Sequence, residues 1–442
     1  MMKRIFLLLL TLAVLPSARA ALHIQSWTLD NGARVLFVES HAIPVLDLSI
    51  EFDAGERRDP EGKAGLADLA NSMLARGVHA SAAPDAEPAL SEAQILDGFA
   101  DTAAERGGGA DPDRAGASLR TLSDPEQRDA SVDLLARILA QPSFPEDLLA
   151  RDKAREIAAI KEDDTKPESI ASKAFWAALY GSHPYGWHET VESVGAITRD
   201  DLVKFHRTYY VANRAVIAMI GDIDRTEADL IARRLTKRLP QGEPLPPLPP
   251  VKLQAAQDIR IPNQASQAHI LLGMPAVARG DPDYFPLLVG NYTLGGGGFV
   301  SRLMREVREK RGLSYSVYSY FDPMAQEGPF QAGLQTRKNE ADKALKVVRD
   351  TISNFLEHGP TAAELAAAKD NLVGGFPLRI DNNRKILANI AAIGFYRLPL
   401  DYLDTWTANV QKVTVADIRA AFRRKLAMDR MSTVVVGGET EK

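Results

Sequence analysis

The sequence predicts an α+β protein built from two copies of one module, each a mostly antiparallel or mixed sheet with helices packed on one face. The first observation behind this is a repeat. Thr198, Asp201, Leu202, Arg214 and Gly221 recur 216 residues later as Thr414, Asp417, Ile418, Arg430 and Gly437, and Tyr180 recurs as Tyr396 at the same offset. A fixed long period marks a duplication rather than two unrelated domains. The second is that both copies close alike, with a helix, an apolar strand (AVIAMIG or STVVVGG) and a glycine. The third is that strands and helices do not alternate strictly, which argues against a doubly wound parallel sheet.

Residues 1–20, MMKRIFLLLLTLAVLPSARA, read as a secretory signal with a charged start (Lys3, Arg4), an apolar core and an Ala18-Arg19-Ala20 cleavage site. The core, Ile5 to Leu15, is 11 residues, too short to span a bilayer. The expected product begins at Ala21, is periplasmic or otherwise exported, and is soluble, with no membrane span.

The first module is expected over 21–238. Trp27 to Val38 contains a hairpin around Asn31-Gly32, and Val45 to Phe52 alternates as a strand. A helix is expected from about Gly65 to Arg76, with Gly77 closing it. Val78 to Pro88 is small and proline-bearing, a surface loop. Ser91 to Arg106 reads as a helix, Ala115 to Thr121 as a strand, and Glu126–Leu139 and Pro145–Glu162 as amphipathic helices. Thr198 caps a helix over Asp200–Tyr210, and Arg214 to Ile220 is an apolar strand. Residues 239–252 form a linker, since six of the twelve residues from Leu239 to Pro250 are proline, a composition that favours extended chain. A P-x-x-P partner ligand is the sharper alternative. The second module is expected over 253–442.

With 442 residues, 45% apolar and 25% charged, the chain suits two ordinary globular modules. A net charge of −5 without a basic block excludes a nucleic-acid binder. The absence of cysteine excludes disulfides and thiolate metal sites.

The second module holds the most distinctive stretch, TLGGGGFVSRLMREVREKRGLSYSVYSY, from Thr293 to Tyr320. Four glycines, Gly295, Gly296, Gly297 and Gly298, permit unusual backbone and close approach. SRLMREVREK reads as a short helix ended by Gly312, and LSYSVYSYF as a strand from Leu313. A turn between them aims Arg308 and Tyr315 at one spot. A guanidinium and a phenol are hydrogen-bond donors suited to a peptide carbonyl or the oxyanion formed from it. Taken alone, a solvated helix charge and a core aromatic explain the pair as well, and the glycines lack the Lys-Ser/Thr of a P-loop.

LGGGG-x-x-SRL followed by REVREKRGLSYSVYS resembles the second half of the pitrilysin/insulinase (M16) family of zinc peptidases, especially the smaller bacterial members related to mitochondrial processing peptidase. The resemblance implies two modules facing each other across a cavity. It also implies His-x-x-Glu-His on a helix of the first module, two histidines binding zinc and the glutamate serving as base. Here the matching helix is GLADLANSML, and the three working positions are Asp68, Asn71 and Ser72. A neutral hydroxyl is a poor zinc ligand and an amide accepts no proton. The family's third ligand falls at Ala158 or Ala159 when aligned on Asp164-Thr-Lys-Pro167, with Glu156 and Glu162 nearby. Of the eight histidines none has i, i+4 spacing; His183 and His188 share a Pro/Gly loop, and His206 reads as a core or interface residue.

Two-chain members of the family divide the work between a zinc-bearing chain and a partner that grips substrate. The resemblance therefore implies a partner subunit that binds no cofactor itself, is inactive alone, and joins a zinc-bearing paralogue to hydrolyse peptides. Arg308, Tyr315 and Gly295 to Gly298 would bind substrate. A non-enzymatic peptide-binding or scaffold protein of the same fold is the alternative.

Overall fold

The computed structural model describes residues 22–81 and 87–437, so the expected signal segment 1–20 and part of the expected Val78–Pro88 loop lie outside the described residues. Two sheets form its frame. In the first, spatial order runs Gln25–Thr28, Arg34–Glu39, Val216–Gly221, Val45–Phe52, Ala115–Leu122, Glu105–Ala110. In the second it runs Val317–Phe321, Gly328–Arg337, Gln267–Val277, Ser432–Val436, Asp258–Ile261. Set aside the opening strand Gln25–Thr28 and the two orders are the same, read from opposite ends. Each sheet has one parallel pair, Arg34–Glu39 with Val216–Gly221 and Asp258–Ile261 with Ser432–Val436, and is otherwise antiparallel. The duplication in sequence is thus a duplication in topology.

The equivalent closing helices begin on equivalent caps. Thr198 accepts from Asp201 N and Thr414 from Asp417 N, and each aspartate reaches back to its threonine. These are capping boxes, which satisfy two otherwise orphaned N–H groups at once. Elsewhere the alternation of Val45–Phe52 sets the layers. Leu46, Leu48, Ile50 and Phe52 enter the first core, and Asp47, Ser49 and Glu51 face the other side.

Each module lends a helix to its neighbour. Pro167–Tyr180 packs Phe175, Leu179 and Tyr180 against Val434 and Val436 of the second sheet. Reciprocally, Asn383–Phe395 packs Ile386, Leu387 and Ile390 with Leu36, Val38 and Ala218 of the first. The repeated tyrosines sit at the C-terminal ends of these exchanged helices. Tyr180 donates to Glu327 O at 3.1 Å and Tyr396 to Asp113 at 2.8 Å. Asp113, 2% exposed, also accepts from Arg57 and from Ala325 N, both at 2.8 Å, and from the Tyr185 hydroxyl. One buried carboxylate therefore ties the two modules together. A cavity of about 410 Å³ lies across the junction, between Asp47, Ser49 and Glu51 and the exchanged residues Arg384 and Leu387.

Several local expectations are corrected. The helix expected over Ser91–Arg106 is only Glu92–Asp101, capped by Ser91; Ala103 at φ 51° breaks it, and Glu105–Ala110 is an edge strand. The helix from Gly65 ends as a 3₁₀ turn, Leu74–Arg76, and Gly77 is extended rather than left-handed. Residues 239–250 have no regular structure, but they are pinned: Pro240 O accepts from Ala212 N, Pro246 O from Arg58, and Pro249 O from Gln326 and His183. Among the described residues, no helix is long and apolar enough to cross a membrane.

Candidate functional site

The glycine run and the Arg–Tyr turn line one cavity of about 650 Å³ at the edge of the second sheet. The chain enters it from the helix Tyr284–Asn291, which continues into a π turn, Tyr292–Gly296, closed by Gly297 N donating to Tyr292 O. Gly295 is required there: a Cβ would sit 2.3 Å from Ser319 Oγ, so only glycine lets the loop lie on the edge strand. Gly298 turns at φ +61°. Asn291 ties the arrangement, donating to Ser319 O at 2.9 Å and accepting from the Ser319 hydroxyl at 2.6 Å. Gly295, Gly296 and Gly298 line the cavity, while Gly297 lies behind them against Tyr292.

The helix expected from Ser301 winds instead as a π segment over Met304–Glu309, and the strand expected from Leu313 begins only at Val317. Single π turns cluster at functional sites because they reposition side chains. Here the winding brings Arg308 beside the loop. Its guanidinium carbon lies 4.6 Å from the centroids of both Phe299 and Tyr315. Tyr315 is 80% exposed, so it stands over the cavity mouth rather than in the core. Arg308 Nη1 is buried with no hydrogen-bond partner. The turn thus brings together the two residues singled out in sequence. It also assembles others that sequence reasoning missed: Arg279, Arg379 and Asp322, with a floor of Tyr318, Tyr320 and Phe321. Burial pushes the Tyr320 hydroxyl up to about 12 and raises Asp322 above the usual carboxylate range.

In the first module the three altered positions share the helix Leu66–Met73. Asn71, 5% exposed, donates to Gly116 O and to the Tyr210 hydroxyl, both at 3.0 Å. The Ser72 hydroxyl donates back to Leu69 O at 3.0 Å. Asp68 faces Glu156, and burial followed by that charge raises its pKa. The neighbouring helix, Glu146–Asp163, turns Ala158 and Ala159 outward and lines a cavity of about 300 Å³ with Glu156, Ile160 and Asp163. The residue opposite Asp68 is therefore Glu156, two or three positions from the alanines expected, because the helix face recurs at i+4 through Asp152, Glu156 and Ile160. Glu189 joins them. Burial first, then its hydrogen bond to Glu156 and the charges of Glu156, Asp68 and Glu56, push it up to about 8. Glu56 and Asp59 are likewise raised to about 7, chiefly by burial.

These residues do not fit a zinc ion of the kind the fold family holds. The amide at 71 already donates to two protein acceptors, position 72 offers a neutral hydroxyl committed to its own helix, and neither supplies imidazole. Among the described residues, no group of three or more His, Asp or Glu comes together to hold a metal. His183 and His188 do not substitute: His183 accepts from Tyr185 N and donates to Pro249 O. His206 is buried, bonded to Leu139 O at 2.7 Å and stacked on Tyr210.

Comparison with known proteins decides the family. Residues 196–372 match a family model described as Peptidase M16 inactive domain. An uncharacterized zinc protease of Streptomyces coelicolor is 31% identical over 71% of this chain and 69% of its own. The chain belongs to the M16 peptidase family. The solved M16 inactive domain from Pseudomonas fluorescens superposes with a TM-score of 0.88 at 38% identity, covering 95% of this chain and 98% of that one. A Helicobacter pylori protein named a non-peptidase homolog is 25% identical over 98% of both chains. Names among the relatives of this M16 chain thus fall on both sides of the line between peptidase and non-peptidase.

Proposed function

We propose that this chain is the substrate-binding, non-zinc subunit of an exported, heteromeric M16-type metallopeptidase. The observation that carries the reading is the contrast within one chain: an open cavity holding Arg308 and Tyr315 in the second module, and a first module whose Asn71 and Ser72 are hydrogen-bonded within the protein while Asp68 faces another carboxylate. A zinc-bearing M16 paralogue supplies metal and base. This chain supplies Arg308, the Tyr315 hydroxyl and the glycine-loop backbone, which hold the substrate's peptide groups and stabilise charge on the attacked carbonyl. It binds no cofactor itself and is inactive alone. Residues 1–20 direct export and are removed after Ala20.

The test is reconstitution. The mature chain, alone and mixed with an exported M16 paralogue carrying intact His-x-x-Glu-His, is assayed for complex formation, zinc content and peptide hydrolysis. Hydrolysis by the mixture well above the sum of its parts supports the reading. Stoichiometric zinc in this chain alone, or no effect of mixing, overturns it. N-terminal sequencing of the exported protein checks the start at Ala21. The second reading, a non-enzymatic peptide-binding or scaffold protein, draws on the full-length likeness to a named non-peptidase homolog. It predicts peptide binding or assembly with no contribution to hydrolysis.

A further inference from the structure

Three arginines, Arg279, Arg308 and Arg379, line the cavity of the second module. Among the described residues none of their side chains makes an ion pair or a hydrogen bond, although the chain otherwise pairs its arginines freely, as at Arg302–Glu364 and Arg424–Asp283. Arg279 Nε and Arg308 Nη1 are buried without partners. What holds the three cations is aromatic: Arg308 lies between Phe299 and Tyr315, Arg279 over Tyr396 at 5.2 Å, and Arg379 over Trp406 at 5.5 Å. Cation–π contact orients a guanidinium but leaves its in-plane N–H donors unused. The single carboxylate in the lining, Asp322, feels the charge of Arg279 without reaching ion-pair distance. A buried donor without an acceptor is costly, so a cavity that keeps two of them on charged groups is built for an acceptor from outside. The walls are tyrosine, phenylalanine, leucine and methionine, which suit peptide side chains rather than an inorganic ion.

We infer that this cavity selects peptides bearing a carboxylate, which the three unpaired arginines receive beside an apolar or aromatic residue held by the cavity wall. The inference rests on the substrate-binding reading above and narrows its substrate class. The carboxylate comes either from an acidic side chain or from a free C-terminus, since both present the planar pair of oxygens that guanidinium matches.

Calorimetric titration of the full exported chain, alone and in complex with its paralogue, tests this with four peptides. They are acetyl-Gly-Phe-Glu-Gly-amide, its Gln counterpart, acetyl-Gly-Phe-Gly with a free C-terminus, and the same peptide amidated. A charge-assisted hydrogen bond predicts roughly 10–100-fold tighter binding of at least one carboxylate peptide than of its neutral twin. Which pair differs identifies the source. Arg279→Gln and Arg379→Gln should each shrink the preference, and the lysine variants should retain part of it, which separates lost charge from lost fold. Equal affinity within both pairs overturns the inference and leaves the substrate-binding reading standing. No binding of any peptide, by the chain or the complex, overturns both.

Discussion

In the first module the helix Leu66–Met73 turns Asn71 and Ser72 onto the protein itself; in the second, the turn between Met304 and Val317 pairs Arg305, Lys310 and Arg311 with glutamates but leaves Arg308 unpaired. The frames are nearly identical, with the same strand order, the same parallel pair and the same capped closing helix. The difference lies in hydrogen-bonding capacity. Asn71 is satisfied by Gly116 and Tyr210, and Ser72 by Leu69. The carboxylates around them are crowded together and raised toward neutrality. Arg308 has an unpartnered N–H and an exposed phenol above it. A duplicated fold therefore does not duplicate a site. Unmet bonding capacity, rather than position in the repeat, marks where ligand chemistry remains.

The variant that breaks both halves of this comparison at once is Asp113→Ala. It leaves Arg57, Tyr185, Tyr396 and Ala325 N without their shared acceptor. Removing one partner of a buried charge pair costs on the order of 3–5 kcal/mol. Denaturant unfolding should show that loss together with separate transitions for the two modules. An unchanged single transition would mean that the exchanged helices alone hold the modules together.

Breaking only the second module is the next largest effect. Arg308→Ala in the reconstituted complex should lower kcat/KM by about 10²–10³, the loss expected for one donor to a developing oxyanion. Tyr315→Phe keeps the ring over Arg308 and removes only the hydroxyl, so a smaller loss separates stacking from hydrogen bonding. A rise in KM with kcat unchanged would assign ground-state positioning instead. Native rates from both variants in an intact complex would make the pair structural and favour the scaffold reading.

The sequence carried the repeat, the caps and the Arg308–Tyr315 turn because each is local, or recurs at a fixed offset. What it did not carry depends on long-range packing. Glu105–Ala110 contains three glycines, with little strand propensity of its own, and is a strand because Ala115–Leu122 pairs with it. The exchange of Pro167–Tyr180 and Asn383–Phe395 has no local mark. Arg279 and Arg379 reach the cavity from segments far from the glycine loop. That Glu156 rather than a neighbour stands opposite Asp68 was not legible, because a helix face is set by what packs on it.

Rebuilding the family's motif in the first module tests the other side. The triple change Asp68→His, Asn71→Glu and Ser72→His should yield no zinc enzyme. Glu at 71 has no N–H to offer Gly116 O and puts a charge beside the buried Tyr210. A stability loss of about 1–3 kcal/mol is expected, from the unsatisfied acceptor and the buried carboxylate. Equilibrium dialysis with zinc and a thermal melt provide the measurements. A stoichiometric, tightly bound zinc would show that Glu156 serves as third ligand once imidazoles are present, and that the contrast between the modules is three side chains deep.

The last effect expected is a pH dependence seated at Glu189. Its pKa in the folded chain, about 8, stands above the ordinary glutamate value because burial and the neighbouring Glu156, Asp68 and Glu56 disfavour its charge. The folded state therefore holds a proton that the unfolded chain releases above about pH 4.3. Such a group contributes stability that is fully present below its unfolded pKa and is lost as pH rises through 8. Wild type should melt higher at pH 5 than at pH 8.5, beyond what its other carboxylates account for. Glu189→Gln keeps the shape and a hydrogen-bond donor toward Glu156 while removing the titration, so it should flatten this window and raise the melting temperature at pH 8.5. At pH 5 the variant and wild type should coincide. If the variant is instead less stable at both pH values, the Glu189 carboxylate is making a bond that holds the helix at Gly65, against which it packs. The acidic pocket would then be a structural joint rather than a set of mutually repelling carboxylates.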